Sequence, residues 1–135
     1  MKLSVIIPAL NEECYLGGTI SALRTNSRSG GPYEIIVCDT GSSDRTAEVA
    51  SGSGAVLVRN GSREPGKAGA LNIGADFATG DVLLFLDADT IVPGAYDSLI
   101  EQSLADAGVV GGAFEFSLDG GGFGLRGVEF LNRVR

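Results

Sequence analysis

Histidine is missing from this chain of 135 residues, and cysteine occurs only twice. Without histidine there is no Ser-His-Asp triad, no imidazole general base and no His-ligated zinc. Any chemistry has to run on carboxylates, lysine, backbone amides or a hard metal ion. Two cysteines are too few for a disulfide framework. Cys14 falls in an expected helix and Cys38 ends an apolar run, so both read as small, half-buried free thiols. Basic residues are outnumbered, 10 against 17, for a net charge of -7. The basic stripe that binds a nucleic-acid backbone is therefore lacking. An acidic chain still holds a diphosphate when a divalent cation lies between the two. Long apolar runs are absent too: residues 82–86 form one of the longest, against about 18 needed for a membrane span. The N-terminal Met-Lys-Leu-Ser-Val-Ile-Ile-Pro lacks a small-residue cleavage site and reads as a strand, not a signal peptide. Cytoplasmic residence is the expectation, with peripheral membrane attachment left open.

What is present is a soluble-globular composition, 44% hydrophobic and 20% charged. The length suits one domain, residues 1–135, and is too short for two. Short runs rich in Val, Ile and Leu recur at residues 3–7, 34–38, 55–59 and 82–86. Their near-continuous apolar character suits parallel strands buried on both faces. Helical spacing fills the intervals: residues 11–25 with Leu16, Ile20 and Leu23, a segment through Val49 that Asp44 can cap, and residues 68–78 with Leu71, Ala75 and Ala78. Pro93 is expected to open a further helix toward Ala107. Residues 110–118 alternate like a strand, and Leu125, Val128, Leu131 and Val134 mark a C-terminal helix. The expected fold is α/β, a mostly parallel central sheet flanked by helices. In such sheets ligands bind beyond the carboxyl ends of the strands. The polar clusters after the first, second and fourth runs, at residues 8–13, 39–44 and 87–90, should then share one edge.

Asp87-Ala88-Asp89 directly follows a strand. Carboxylates one residue apart repel unless one is protonated or a cation is bound. Mg²⁺ or Mn²⁺ with a bridging diphosphate answers that need, and a helix-capping turn is the plainer alternative. Gly66-Lys67-Ala68-Gly69 puts small residues and a lysine at a helix start, which suits an anion, although a solvated lysine on an ordinary helix start reads equally simply. The segment lacks the Gly-Lys-Ser/Thr ending of a P-loop. Asp39 can accept hydrogen bonds from a base N–H or ribose hydroxyls, and Gly41 permits a tight turn beside it. Asp44 reads as an N-cap, and residues 8–13 either place Glu12 beside the pocket or merely start a capped helix at Asn11.

Four segments, in order, resemble the family-two glycosyltransferases over nearly the whole chain. They are Ser4-Val5-Ile6-Ile7-Pro8-Ala9-Leu10-Asn11-Glu12-Glu13, Asp39-Thr40-Gly41-Ser42-Ser43-Asp44-Arg45-Thr46, Gly66-Lys67-Ala68-Gly69-Ala70-Leu71-Asn72 and Leu86-Asp87-Ala88-Asp89-Thr90. The resemblance implies a Rossmann-like GT-A fold that binds a UDP- or GDP-linked sugar with Mg²⁺ or Mn²⁺. It implies that Pro8, Ala9 and Glu12 line the nucleoside pocket and that Asp39 reads the base. Lys67 would lie near the diphosphate, Asp87 near the ribose or sugar, and Asp89 would be the main metal ligand. Transfer would invert the anomeric carbon, onto an acceptor that includes lipids as an option. Thr40 departs from the glycine or aspartate more frequent in that family. The family's acidic base pair does not occur after Thr90, so the base is expected beyond Arg135, with the C-terminal part of the fold missing. The uncovered C-terminal helix should then drive self-association. Two alternatives stand beside this reading: a non-catalytic nucleotide-sugar-binding module, and a haloacid-dehalogenase-type phosphatase using Asp87 as nucleophile.

Overall fold

The four apolar runs pair into one sheet in the order β3-β2-β1-β4, with every neighbouring pair parallel. This computed structural model describes residues 1–59 and 66–115. The elements run β1 (Leu3–Ala9), α1 (Leu16–Thr25), β2 (Glu34–Asp39), α2 (Thr46–Gly52), β3 (Val56–Arg59), α3 (Gly66–Phe77), β4 (Val82–Phe85) and α4 (Tyr96–Leu104). The expected α/β sheet flanked by helices is the architecture the chain adopts. No helix among the described residues is long and apolar enough to cross a membrane.

Alternation along the strands splits the core in two. Leu3, Val5, Ile7 and Ala9 face one side with Ile35 and Val37, and pack against Leu16, Ile20 and Leu23 of α1, Ala50 of α2 and Tyr96 of α4. Ile6, Ile36, Cys38 and Val58 face the other side, against Ala70 of α3. Gly74 lets α3 lie close there: a Cβ at that position would fall 2.8 Å from Cys38 Sγ and closer still to Ile6 Cγ2. Burial pushes the Cys38 thiol up to about 11. Both cysteines are free, but Cys14 is exposed and precedes α1, contrary to its expected half-buried helical position.

Burial on both faces holds for β1 and β2 only. At the outer positions Val56, Leu83 and Phe85 are 50%, 39% and 51% exposed, because β3 and β4 each have one neighbour among the described residues. Element ends also shifted. β1 continues through Pro8 to Ala9, in register with Cys38 and Asp39. Proline is tolerated because even-numbered β1 residues bond toward β4, as in Leu86 N–H to Ile6 O, and β4 has already ended there. Asn11 has a positive φ of 57°, so residues 11–15 form a turn and α1 starts at Leu16, not at Asn11. Likewise Ala95, at φ 61°, delays α4 to Tyr96 although Pro93 precedes it. That helix stops at Leu104, short of Ala107.

The chain divides into Met1–Gln102, which holds the whole sheet, and Ser103–Arg135. In the second unit Asp106 closes a short turn, accepting bonds from Gly108 N–H and Val109 N–H. The expected strand at residues 110–118 is not formed over its described part, 110–115, where Gly111 and Gly112 offer no side chain to pack and Val110 is 97% exposed. Its remainder and the expected C-terminal helix at residues 125–134 lie outside the described residues.

Candidate functional site

The strand order reverses direction at β1: β2 and β3 lie to one side of it and β4 to the other. At such a switch point α/β sheets hold ligands in a crevice beyond the carboxyl ends of the strands, here those of β1 and β4. The loops after β1, β2 and β4 meet there with the start of α3.

The first two loops are laced together through side chains. Asn11 N–H donates to Ser42 Oγ (2.9 Å), and Ser43 N–H donates back to Asn11 Oδ1 (2.8 Å). Glu12 N–H donates to Thr46 Oγ1 (2.8 Å), whose own hydroxyl donates to Asp44 Oδ1 (2.5 Å). Asp44 Oδ1 also takes Thr46 N–H and Oδ2 takes Glu13 N–H, but the N-cap position of α2 falls on Arg45, with no side-chain cap bond, and not on Asp44 as expected. Burial alone would raise the Asp44 carboxyl, but these Thr46 and Glu13 donors hold it below its usual range. Glu13 Oε2 in turn accepts from the Arg45 backbone and Nε (both 3.1 Å). Thr46 is fully buried at the centre of this lacing. Its role was invisible in the sequence, where the only signal is a hydroxyl two positions after Asp44.

Asp39 is 5% exposed. Its Oδ1 accepts from Gly41 N–H (3.1 Å) and Ser42 N–H (2.8 Å), with Gly41 at φ 109°. One carboxylate oxygen therefore shapes the loop, and Oδ2 accepts no hydrogen bond among the described residues. Pro8 and Ala9 end β1 one strand away, and Ala9 O accepts from Thr40 N–H (3.0 Å).

On the opposite wall, Lys67 Nζ lies 2.5 Å from Asp87 Oδ1. Lys67 is the second residue of α3, beside Gly66 at φ 86°. The lysine thus joins the acid pair at the positive end of a helix. Thr90 N–H bonds to Asp87 O (3.1 Å) and closes a turn over Asp87-Ala88-Asp89, with Ala88 3% exposed and both acids exposed. Across the crevice, burial first, then the charges of Asp89, Asp44 and Asp87 raise the Glu12 carboxyl above its usual range. Six of the expected residues, Pro8, Ala9, Glu12, Lys67, Asp87 and Asp89, therefore gather at the switch point, and Asp39 stands at the end of the adjacent strand.

This is an acid-rich crevice with one lysine, so it favours a cation together with an anion that the cation bridges. No group of three or more metal-ligating side chains occurs among the described residues. Two aspartates are nonetheless enough for Mg²⁺ or Mn²⁺, which keep waters and take phosphate oxygens alongside one or two carboxylates. The donor set is all oxygen, which fits such hard cations.

Comparison with known proteins bears on the family and the fold. The family model described as Glycosyl transferase family 2 matches residues 4–132. The chain is 41% identical over 93 residues to a 4,4'-diaponeurosporenoate glycosyltransferase of Staphylococcus haemolyticus, covering 65% of this chain and 24% of that protein. It is 37% identical over 120 residues to an undecaprenyl-phosphate 4-deoxy-4-formamido-L-arabinose transferase of Pectobacterium carotovorum, covering 82% of this chain and 36% of that protein. Among solved structures it resembles the glucosyl-3-phosphoglycerate synthase of Mycobacterium tuberculosis in complex with Mn²⁺, uridine diphosphate and glucosyl-3-phosphoglycerate. That match has a TM-score of 0.63 and 31% identity over 78% of this chain and 40% of the other. The chain thus spans between about a quarter and two fifths of the length of these proteins.

Proposed function

The chain belongs to Glycosyl transferase family 2, and from that premise we propose that its crevice binds a nucleoside-diphosphate sugar and serves an inverting, metal-assisted glycosyl transfer. The observation that carries the proposal is the ion pair of Lys67, at the start of α3, with Asp87 of the Asp87-Ala88-Asp89 turn beside the reversal of strand order. The mycobacterial structure with Mn²⁺ and uridine diphosphate supports the donor class. The undecaprenyl-phosphate relative supports a lipid-linked acceptor.

Each residue then has a task. Asp89 and Asp87 hold the cation, which would offset charge on the departing diphosphate. Lys67 exchanges its bond to Asp87 for one to the diphosphate, which keeps the anion at the α3 terminus. Asp39 offers Oδ2 to the base or ribose while Oδ1 stays with the loop. Pro8 and Ala9 wall the nucleoside, and the missing N–H of Pro8 leaves no strand donor competing there. The nucleotide-sugar-binding residues all lie in the unit Met1–Gln102. Family membership leaves the phosphatase alternative without support.

Calorimetric titration with uridine diphosphate and guanosine diphosphate, in MnCl₂ and in EDTA, tests the reading. Tighter binding with Mn²⁺ is expected, and Asp89→Ala should remove that gain while circular dichroism stays unchanged. Equal affinities with and without EDTA would refute it.

A further inference from the structure

α1 buries Leu16, Ile20 and Leu23 at 0–1% exposure, and among them stands one hydroxyl, that of Thr19, also 1% exposed. A buried hydroxyl is costly unless bonded, and a helical threonine ordinarily satisfies itself on the carbonyl one turn back. Thr25 does so on Ser21 O (3.1 Å). Thr19 does not. Its Oγ1 donates to Ala88 O at 2.7 Å, in a buried bond spanning 69 positions of sequence.

Ala88 O belongs to the planar peptide that joins Ala88 to Asp89, so holding that oxygen orients the backbone carrying Asp89. The Ala88 side chain packs in the same core cluster as Leu16 and Ile20. The middle residue of Asp87-Ala88-Asp89 is thereby anchored twice. Leu23 in α1 and Asn26 at its C-cap hold the segment from Val92 to Tyr96 that follows. Leu23 O accepts from Tyr96 Oη (2.9 Å), Asn26 Nδ2 donates to Val92 O (2.7 Å), and Asn26 O accepts from Ala95 N–H (2.6 Å). One stripe of α1 is a rail on which the acid pair is mounted.

We infer that Thr19 is a positioning residue for the cation site, acting through Ala88 O to hold Asp87 and Asp89 in a ligating arrangement. The inference rests on the reading that this pair holds the divalent cation. Left without the anchor, adjacent carboxylates move apart under their mutual repulsion. Mg²⁺ in particular tolerates little departure from its ligand geometry.

The test titrates uridine diphosphate into the full chain, in MnCl₂ and in EDTA. Thr19→Val keeps the side-chain shape and removes the hydroxyl. Affinity in EDTA should stay at the wild-type value, while the gain from Mn²⁺ falls about tenfold or more, the scale for losing a partner that orients metal ligands. Thr19→Ser should restore the gain. Ile20→Val, which loosens the same helix without touching Ala88, should keep it. Should Thr19→Val not fold, Asn26→Ala removes the next bond to the same loop and should also lower the gain. An undiminished gain in Thr19→Val, or in Asn26→Ala where that variant replaces it, overturns the inference and leaves the donor reading intact. So does an equal loss in EDTA and Mn²⁺, or a failure of serine to restore. Absence of any Mn²⁺ gain in the wild type overturns both.

Discussion

Removing the Asp97 carboxylate should destabilise this fold by breaking a cluster of part-buried hydrogen bonds. Asp97 is the second residue of α4 and only 6% exposed. It accepts from Ser27 Oγ (2.7 Å), Arg28 N–H (3.0 Å), Ser29 N–H (2.8 Å) and Ser29 Oγ (2.7 Å). After Asp97→Ala the two hydroxyls can turn elsewhere, and Ser29 N–H retains Ser27 Oγ at 3.1 Å. Arg28 N–H keeps no other acceptor among the described residues. One charge-assisted bond lost outright is worth about 1.5–3 kcal/mol and the others less, so a loss of about 3 kcal/mol is expected. Asp97→Asn keeps an acceptor oxygen and should lose about half as much. Burial alone would raise the Asp97 carboxyl, but the Arg28 amide, the Ser27 and Ser29 hydroxyls and the Ser29 amide hold it far below the usual carboxylate range. A lowered folded-state value means the charge stabilises the protein fully above about pH 4, the unfolded value. That stability drains away as pH falls below it, by about 1.4 kcal/mol per pH unit. Urea unfolding at pH 7, 4 and 3 should therefore show the gap between wild type and Asp97→Asn narrowing only in the acid range. A gap independent of pH, or a cost below about 1 kcal/mol for Asp97→Ala, would refute the reasoning.

Gly74→Ala sets two effects against each other. Helix propensity favours alanine by about 1 kcal/mol, but the new Cβ would overlap Ile6 and Cys38, and overpacking costs about 1–3 kcal/mol or more; a lowered melting temperature is expected, and a raised one would show that α3 is free to lift from the sheet. Asp39→Asn keeps an oxygen for Gly41 and Ser42 while changing the face offered to a ligand. It should weaken uridine diphosphate by about 1–3 kcal/mol in calorimetry and leave pyrophosphate unaffected, and equal losses for both would remove Asp39 from the nucleoside pocket.

The strands were legible because buried parallel strands read as unbroken apolar runs, and all four lie within one or two residues of where those runs fall. The misses share a physical cause. Asn11 and Ala95 adopt positive φ, which composition does not announce for alanine at all, and each moved a helix start past its apparent cap. Pro8 looked like a strand end, yet its missing donor points along the flank that β4 has vacated. Whether a strand is central or at an edge is likewise a property of the partner and not of the run. Hence Leu83 and Phe85 looked like core and are half exposed.

The candidate site was legible to the extent that its residues follow strands. Topology gathers whatever comes after β1, β2 and β4, so the acids of those three segments were expected together, whereas Lys67 follows β3 and was placed beside them only by the family resemblance. What holds them in place was not legible. Thr46 bonds across to Glu12 N–H over 34 positions, Thr19 to Ala88 O over 69, and Asp97 to the residues beside Arg28 over about as many. In sequence each is an ordinary threonine or aspartate of a helix, and nothing local distinguishes a hydroxyl that serves its own helix, as in Thr25, from one that serves another element. The groups that meet the ligand are thus fixed by where strands end. The groups that aim them are fixed by which helix face lies beneath the loop, and only a tertiary structure reveals that. It follows that substitutions chosen from the motifs alone would probe ligand contact, whereas Thr19, Thr46 and Asn26 probe the geometry in which that contact is made.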